Sequence, residues 1–246
     1  MAVEIDQMTG ALRRIAPLLD VRSDELQIRQ GYFDLLVDVP VTSTGRAQSL
    51  WLNQTGAAAY DLLHPIARAI APDTRRVPER LDLEWGATVL DLGCGPANIT
   101  VGLARAVGER GLVIGLDVSE KMLARAIART SESNVGYVRA DAERLPLRAE
   151  TVDALCCSVV LQLVEDLDAV FDHIDRVLRP GGRVALAATA AGYGLSRQIA
   201  PYVGNFAGAH MFEPEEMPTL LADRGFTNIK TRTYAMLQFV DARKPR

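Results

Sequence analysis

Residues 89–100 read VLDLGCGPANIT, an apolar run followed by a turn that contains two glycines. The apolar run is typical of a buried strand, and a helix is expected from about Ile99 to Val107. Gly93 and Gly95 let the backbone turn tightly and approach a ligand, because glycine has no Cβ atom. A strand–helix turn in any α/β protein has the same needs, so this stretch alone indicates an architecture more strongly than a site.

The rest of the chain after residue 85 repeats this alternation of short apolar runs and amphipathic segments. Such alternation indicates a parallel sheet with helices on both faces. Right-handed crossovers place the carboxyl ends of the strands, and the loops that follow them, along one edge. Residues 227–245 are expected to close the sheet as an antiparallel pair. The sequence therefore predicts an α/β fold with a doubly wound, mostly parallel, seven-stranded sheet.

Composition argues against several classes of protein. The chain has 246 residues, 48% hydrophobic and 24% charged, with a net charge of -4, which is ordinary for a globular domain. The acidic balance disfavours a nucleic-acid substrate, because phosphates attract basic patches. The three cysteines fit neither a disulfide framework nor a zinc site, so no metal is expected and the cytoplasm fits best. We expect no membrane span and no signal peptide.

Two acidic residues stand at the ends of the next two strand-type runs. Asp117 ends the run GLVIGLD, where a carboxylate can accept the hydroxyls of a ribose. Ser119 can cap the helix that follows and would leave Asp117 available for a ligand. Asp141 comes after the third strand, in a loop that is merely polar when taken alone. The glycine turn and these two acids follow one another at steps of about one βα unit. This order, more than any one of the residues, indicates a ligand site.

Five segments in this order resemble the class I S-adenosylmethionine-dependent methyltransferases, and within them the ubiquinone- and menaquinone-biosynthesis branch of small-molecule enzymes. VLDLGCGPANIT is similar to the first motif of the family, and GLDVSEKMLARA to its ribose-binding strand and helix. RADAERLPL resembles the adenine loop. The fifth strand of the family and its preceding helix are similar to FDHIDRVLRPGGRVAL. The late helix of the family is similar to FEPEEMPTLLADRGF. The resemblance covers about residues 85–242 and implies a Rossmann-like fold.

The resemblance implies S-adenosylmethionine as the cofactor and gives each matching residue a role. The backbone at Gly93 and Gly95 would pack against the methionine part, while Asp91 would brace the turn or bind the amino group. Asp117 would bind the ribose hydroxyls. The other implied cofactor contacts are Asn98 in the first motif, Val118 and Met122 beside the adenine, Asp141 and the Ala142 amide at its edge, and the Ser158 carbonyl toward the amino group.

The implied reaction is methyl transfer to a small organic acceptor at carbon, oxygen or nitrogen, with an aromatic or polyketide-like compound favoured. Displacement at a sulfonium depends mainly on orientation and exclusion of water. A base is needed only if the acceptor must lose a proton. His210, just before the late helix, is the candidate catalytic base, and a partly exposed loop histidine is the competing interpretation. His173 is expected on a solvated helix face.

Residues 1–75 differ from the rest of the chain. Apolar residues recur at helical spacing from Ile5 to Leu19 and again from Leu50 to Ile70. We divide the chain into a helical N-terminal extension, residues 1–75, and a cofactor-binding domain, residues 76–246. The extension is expected to form a lid over the acceptor, with Tyr60 closing over the cofactor. Its apolar residues suit a homodimer contact equally well, so both interpretations stay open.

Two other functions compete with a methyltransferase. A nicotinamide-dependent oxidoreductase uses a similar sheet, but Asn98 stands where the dinucleotide-binding fingerprint requires glycine. A non-catalytic binder of S-adenosylmethionine would share every cofactor motif with an enzyme. Fold alone does not separate these functions.

Overall fold

The computed structural model describes residues 9–22, 24–37, 76–191 and 209–246. These residues form one nine-stranded sheet and six α-helices. The strands are β1 (Ile28–Arg29), β2 (Tyr32–Asp34), β3 (Thr88–Leu92), β4 (Leu112–Asp117), β5 (Val135–Arg139), β6 (Val152–Ser158), β7 (Leu178–Thr189), β8 (Thr227–Tyr234) and β9 (Leu237–Arg243). The helices are α1 (Gly10–Ile15), α2 (Val77–Leu81), α3 (Thr100–Val107), α4 (Glu120–Arg129), α5 (Leu167–Val177) and α6 (Glu216–Asp223).

The strand order is β1-β2-β5-β4-β3-β6-β7-β9-β8. The six strands from β2 to β7 in this order are parallel, whereas β1 at one edge and the β9–β8 pair at the other are antiparallel. From β3 the chain runs outward through β4 to β5 and then returns to β6 on the other side of β3. Ligands of open α/β sheets bind at such a reversal, outside the carboxyl ends of the strands.

Helices cover both faces of the sheet, as the alternating pattern predicts. Helices α1, α5 and α6 bury their apolar side chains on one face, and α2, α3 and α4 on the other. On β3, Leu90 and Leu92 join the first cluster and Val89 joins the second, since strand side chains alternate between faces. Full burial of one such side chain contributes roughly 1.5–3 kcal/mol. The doubly wound α/β class is therefore confirmed.

The number of strands corrects the expectation of seven. The additional strands β1 and β2 come from the segment that we expected to be helical and loop-like. β2 pairs with β5, with Phe33 opposite Val138. A three-residue strand is too short to show a period in the sequence, and its burial between two clusters comes from the pairing itself.

The described part of the first expected helix is shorter than predicted. α1 begins after Thr9, whose Oγ1 accepts a hydrogen bond from the Leu12 amide at 3.3 Å, and the chain continues as a 3-10 turn over Ala16–Leu18. Pro17 lies in that turn, and proline cannot donate a helical hydrogen bond. The second expected helix, from Leu50 to Ile70, lies outside the described residues.

The late helix also begins later than expected. We place Pro214 in its first turn from the sequence, but α6 begins at Glu216 and the Pro214 carbonyl accepts a hydrogen bond from Gln238 Nε2 at 2.7 Å. Gly225 follows the helix at a φ of 79°, as expected for a helix stop. Over the described ranges, no helix is long and apolar enough to cross a membrane.

Candidate cofactor and acceptor site

The glycine turn between β3 and α3 occupies the reversal point of the sheet. The amides of Gly93 and Cys94 both donate to the Leu116 carbonyl, at 2.8 and 2.9 Å. A Cβ atom on Gly93, whose φ is 71°, would lie 2.1 Å from Val160 Cγ2, so only glycine fits there. A Cβ on Gly95 would meet no atom within 4 Å. The backbone at Gly95 therefore faces open space in which a ligand can approach it.

Asp117 ties this turn to the end of β4. Its Oδ2 accepts the Gly95 amide at 2.9 Å, and its Oδ1 accepts the Ser119 amide at 2.9 Å. Burial raises the pKa of Asp117 to about 6, against these hydrogen bonds, which lower it. A carboxylate oxygen can accept a second hydrogen bond, so both oxygens retain capacity for ligand hydroxyls. Ser119 caps α4 through the Met122 amide, as expected.

Asp91 faces inward and braces the turn. Thr100 Oγ1 donates to its Oδ2 at 2.6 Å, and Cys156 Sγ donates to its Oδ1 at 3.1 Å. Burial raises the pKa of Asp91, because desolvation disfavours the charged form. Of the two roles that the family resemblance implied, these contacts favour bracing. Sequence analysis missed Thr100 and Cys156 as its partners, since one lies nine residues away and the other on a different strand.

The loop that we expect to contact adenine, called the adenine loop here, is a 3-10 turn over Ala142–Arg144. Asp141 Oδ1 accepts the Glu143 amide at 3.0 Å, so this side chain also stabilises its own loop. After the neighbouring strand β4, Val118 is half-buried just before α4, and Met122 is buried in the first turn of α4. The structure thus brings both expected groups of adenine contacts to the same edge of the sheet.

His173 departs from the expectation of a solvated helix face. It is half-buried, and its Nε2 lies 3.2 Å from the Glu143 carbonyl of the adenine loop. Burial, together with the neighbouring Arg176 guanidinium, lowers the pKa of His173. The acidic neighbours in the sequence suggested exposure, whereas the packing of α5 on the adenine loop decides the environment.

The segment that follows β6 also lies at the carboxyl edge of the sheet. Ser158 ends the strand, and Val159 follows with a φ of 60° and 40% exposure. A β-branched residue in the left-handed region is a genuine outlier, of the kind that clusters at functional sites. Gln162 is buried beyond it, and its Oε1 has no hydrogen-bond partner in the described part of the protein. Sequence analysis did not identify Gln162.

His210 lies beside this segment. Its amide donates to the Gln162 carbonyl at 2.9 Å, and its Nε2 lies 2.7 Å from Glu216 Oε1. Glu216 Oε2 accepts the Glu213 amide at 3.0 Å, which fixes the carboxylate. The His210 side chain is 43% exposed. A histidine oriented by a carboxylate is an arrangement used for general bases, and no local motif in the sequence indicates Glu216 as its partner.

The placement of two expected cofactor residues is less direct. The Asn98 side chain accepts a hydrogen bond from Arg129 Nη1 at the end of α4, and its contact with a cofactor stays a prediction. Tyr60 lies outside the described residues. Within those residues, no group of acidic, histidine and cysteine side chains suits a metal ion.

Comparisons with known proteins add an independent line of evidence. Residues 90–186 match the family described as "Methyltransferase domain". The demethylmenaquinone methyltransferase of Shouchella clausii is 36% identical over 115 residues, covering 46% of this chain and 49% of that protein. The Staphylococcus saprophyticus enzyme of the same name is 35% identical over 140 residues, covering 56% and 60%. The chain thus spans about half to three fifths of the length of these relatives.

A solved structure supports the fold. The S-adenosylmethionine-dependent methyltransferase of Aquifex aeolicus superposes with a TM-score of 0.61 at 20% identity, covering 76% of this chain and 97% of that one. Family match, relatives and fold agree with the glycine turn and the strand-end acids. Residues 90–186 are therefore similar to a methyltransferase domain, and the chain resembles the quinone-biosynthesis methyltransferases over the part that these comparisons cover.

Proposed function

We propose that this protein transfers the methyl group of S-adenosylmethionine to a small aromatic, quinone-like acceptor. The observation that carries the proposal is the Asp117 carboxylate, fixed by the Gly95 and Ser119 amides next to open space at Gly95. A ribose ring needs such a fixed acceptor for its two hydroxyls.

The described residues fit this cofactor. Gly93 and Gly95 would hold its methionine part, Asp117 its ribose, and Asp141 with Ala142 its adenine. When bound, S-adenosylmethionine supplies a methyl group activated by a sulfonium. The protein supplies orientation and exclusion of water, and good alignment alone can contribute roughly 7–11 kcal/mol.

His210 would act as the base for the acceptor. When its Nε2–H donates to Glu216, the neutral imidazole presents Nδ1 as a proton acceptor. Such a base serves an acceptor that loses a proton, for example a phenol, a hydroquinone ring carbon or an enol. The side-chain Oε1 of the buried Gln162 has no hydrogen-bond partner among the described residues, and a hydroxyl of the methyl acceptor has the chemistry to donate to it.

The class of acceptor comes from the relatives. The two curated relatives are named for demethylmenaquinone, a quinone. By similarity, we propose a hydroquinone or a related polyketide-like phenol as the acceptor here.

Isothermal titration with S-adenosylmethionine and S-adenosylhomocysteine tests the cofactor assignment. We expect micromolar binding by the wild type and loss of binding in Asp117→Ala. NADH is the control ligand and is expected not to bind. Binding of NADH alone would support the oxidoreductase and overturn the proposal. If S-adenosylmethionine binds, a panel of hydroquinones and phenols tests methyl transfer by release of S-adenosylhomocysteine.

We also propose how the remaining parts contribute. Residues 76–246 form the cofactor-binding domain, and residues 1–75 extend it, with Tyr60 closing over the cofactor. Strands β1 and β2 belong to the main sheet and helix α1 packs on it, so the lid is proposed for the remainder of that extension. We further propose a cytoplasmic protein that acts on free small molecules rather than nucleic acid, with a homodimer as one assembly. A Tyr60→Ala variant with unchanged cofactor affinity would contradict the role of Tyr60.

A further inference from the structure

A buried ion pair joins the N-terminal strand β2 to strand β5 at the carboxyl edge. Asp34 and Arg139 are register partners on these strands. Arg139 Nη1 lies 3.1 Å from Asp34 Oδ1 and 3.3 Å from Oδ2. The two side chains are only 0% and 11% exposed. A pair this buried is costly to desolvate, so it persists only where its geometry and hydrogen bonds are good.

Arg139 also holds the loop that follows Asp117. Its Nε donates to the Val118 carbonyl at 3.2 Å, and its Nη1 lies 3.0 Å from Glu120 Oε1. Asp117 itself is the register partner of Arg139 on β4. The guanidinium therefore contacts the two residues that flank Ser119, on the segment that carries the ribose and adenine contacts.

Asp34 secures the other side of this contact. Its Oδ1 accepts the Leu36 amide at 3.0 Å, and the Arg29 guanidinium lies 3.6 Å from its Oδ2. The Leu35 amide donates to the Arg139 carbonyl at 3.0 Å. The chain just after β2 is thus tied through one carboxylate and one arginine to the loop at the end of β4.

We propose that Arg139 is a positioning residue for the cofactor, and that its pair with Asp34 couples docking of the N-terminal strand to the geometry of the ribose loop. The proposal rests on the proposed function, since it concerns the same cofactor site. Arginine is required because its planar guanidinium donates in several directions at once, whereas lysine offers a compact point charge. Without the guanidinium, the Val118 carbonyl loses its donor and the loop loses its fixed position.

Two variants separate positioning from folding. Arg139→Lys keeps the charge and removes the fork. The double variant D34L/R139M replaces both charges together, and such replacements of a buried pair are often neutral for stability. Arg80→Lys is the matched control, because Arg80 pairs with Asp241 with side chains 7% and 14% exposed, on α2 and β9.

The measurements are the Kd of S-adenosylhomocysteine, the Kd of its 2′-deoxyribose analogue, and the midpoint of thermal unfolding. We expect the Kd of S-adenosylhomocysteine to rise roughly tenfold in both Arg139 variants, because hydrogen bonds to charged groups are lost. The preference over the deoxy analogue should shrink. D34L/R139M should unfold near the wild-type temperature, and Arg80→Lys should bind like the wild type whatever its stability.

Two results would refute the positioning role of Arg139, and a third would refute the proposed function. A Kd within twofold of the wild type in both Arg139 variants would refute the positioning role. An equal rise of Kd in Arg80→Lys would mean general loosening of the fold and would refute it too. If the wild type itself fails to bind S-adenosylhomocysteine, the proposed function fails.

Discussion

At the scale of one residue, Asp117 stabilises the glycine turn and is also the proposed acceptor for the ribose hydroxyls. Its carboxylate receives two backbone amides that close the glycine turn on β4, and the same oxygens face the proposed ribose position. Burial opposes ionisation, so this group titrates within a range that binding experiments reach.

Cofactor affinity should therefore depend on pH. With a pKa of about 6, Asp117 is mostly ionised at pH 7 and mostly protonated at pH 5, and the protonated form is a weaker acceptor. We expect the Kd of S-adenosylhomocysteine to rise roughly tenfold from pH 7 to pH 5. In Asp117→Asn, whose side chain does not titrate, the affinity should be low and nearly flat over this range. A flat wild-type profile would contradict the assignment.

The same titration should act on stability with the opposite sign. Because the pKa of Asp117 is raised in the folded state, that state binds more protons than the unfolded one between about pH 4 and 6. This contribution to the free energy of unfolding falls as pH rises through that window. Urea unfolding of the ligand-free protein, with Asp117→Asn as the reference, measures the difference, which should decrease from pH 4 to pH 6.

The two glycines of the turn should respond differently to alanine. Gly93→Ala drives a Cβ into Val160, so we expect the free energy of unfolding to fall by roughly 1–3 kcal/mol. The Gly95→Ala substitution lowers stability chiefly through its positive φ. Its added methyl group meets no atom of the described residues and enters the open space that we propose for the cofactor. It should therefore weaken cofactor binding more than stability. Adding Val160→Ala to Gly93→Ala should restore part of the lost stability. Adding Val160→Ala to Gly95→Ala should restore none of the lost cofactor affinity.

His210 and Glu216 make a prediction about turnover. If His210 is the base, His210→Ala should lower kcat roughly a hundredfold or more at unchanged cofactor affinity. Glu216→Gln should lower it less, because the imidazole remains but loses its charged partner. Release of S-adenosylhomocysteine measures kcat once an acceptor is found. Unchanged kcat in His210→Ala would show that this is only an exposed loop histidine.

At the scale of elements, the N-terminal strand and helix belong to the core of the main sheet. Helix α1 contributes Leu12 and Ile15, and β2 contributes Phe33, all fully buried in one cluster with residues of β3 to β7. Deleting residues 1–40 would therefore remove core as well as any lid, and the truncated chain would not report on a lid alone.

Phe33→Ala tests the structural weight of β2. Loss of this fully buried ring should lower the free energy of unfolding by roughly 3–5 kcal/mol. Trp85→Ala is a suitable control, since Trp85 is 68% exposed and its removal should cost much less. Chemical denaturation of both variants measures the difference. Similar losses would show that β2 is peripheral.

At the scale of the whole molecule, the residues of the proposed site lie along one edge of the sheet. The glycine turn follows β3, Asp117 ends β4, the adenine loop follows β5, and the Val159–Gln162 segment follows β6. His210 reaches this edge from a loop far along the chain, through its hydrogen bond to Gln162. These segments are separate in sequence. The parallel strands on either side of the reversal at β3 and β6 bring them together at one edge, where we propose the site.

The sequence by itself determined the alternating α/β architecture, most helix and strand positions after residue 85, the resemblance to methyltransferases, and the glycines and acids at the strand ends. These features are local: apolar period, caps and turn glycines are set by neighbouring residues. The tertiary structure alone decided the partners of Asp91, the Asp34–Arg139 pair, the His210–Glu216 contact, the packing of His173 and the membership of β2 in the sheet. Each of these joins residues that no local period connects, because burial and hydrogen-bond satisfaction are properties of the assembled fold.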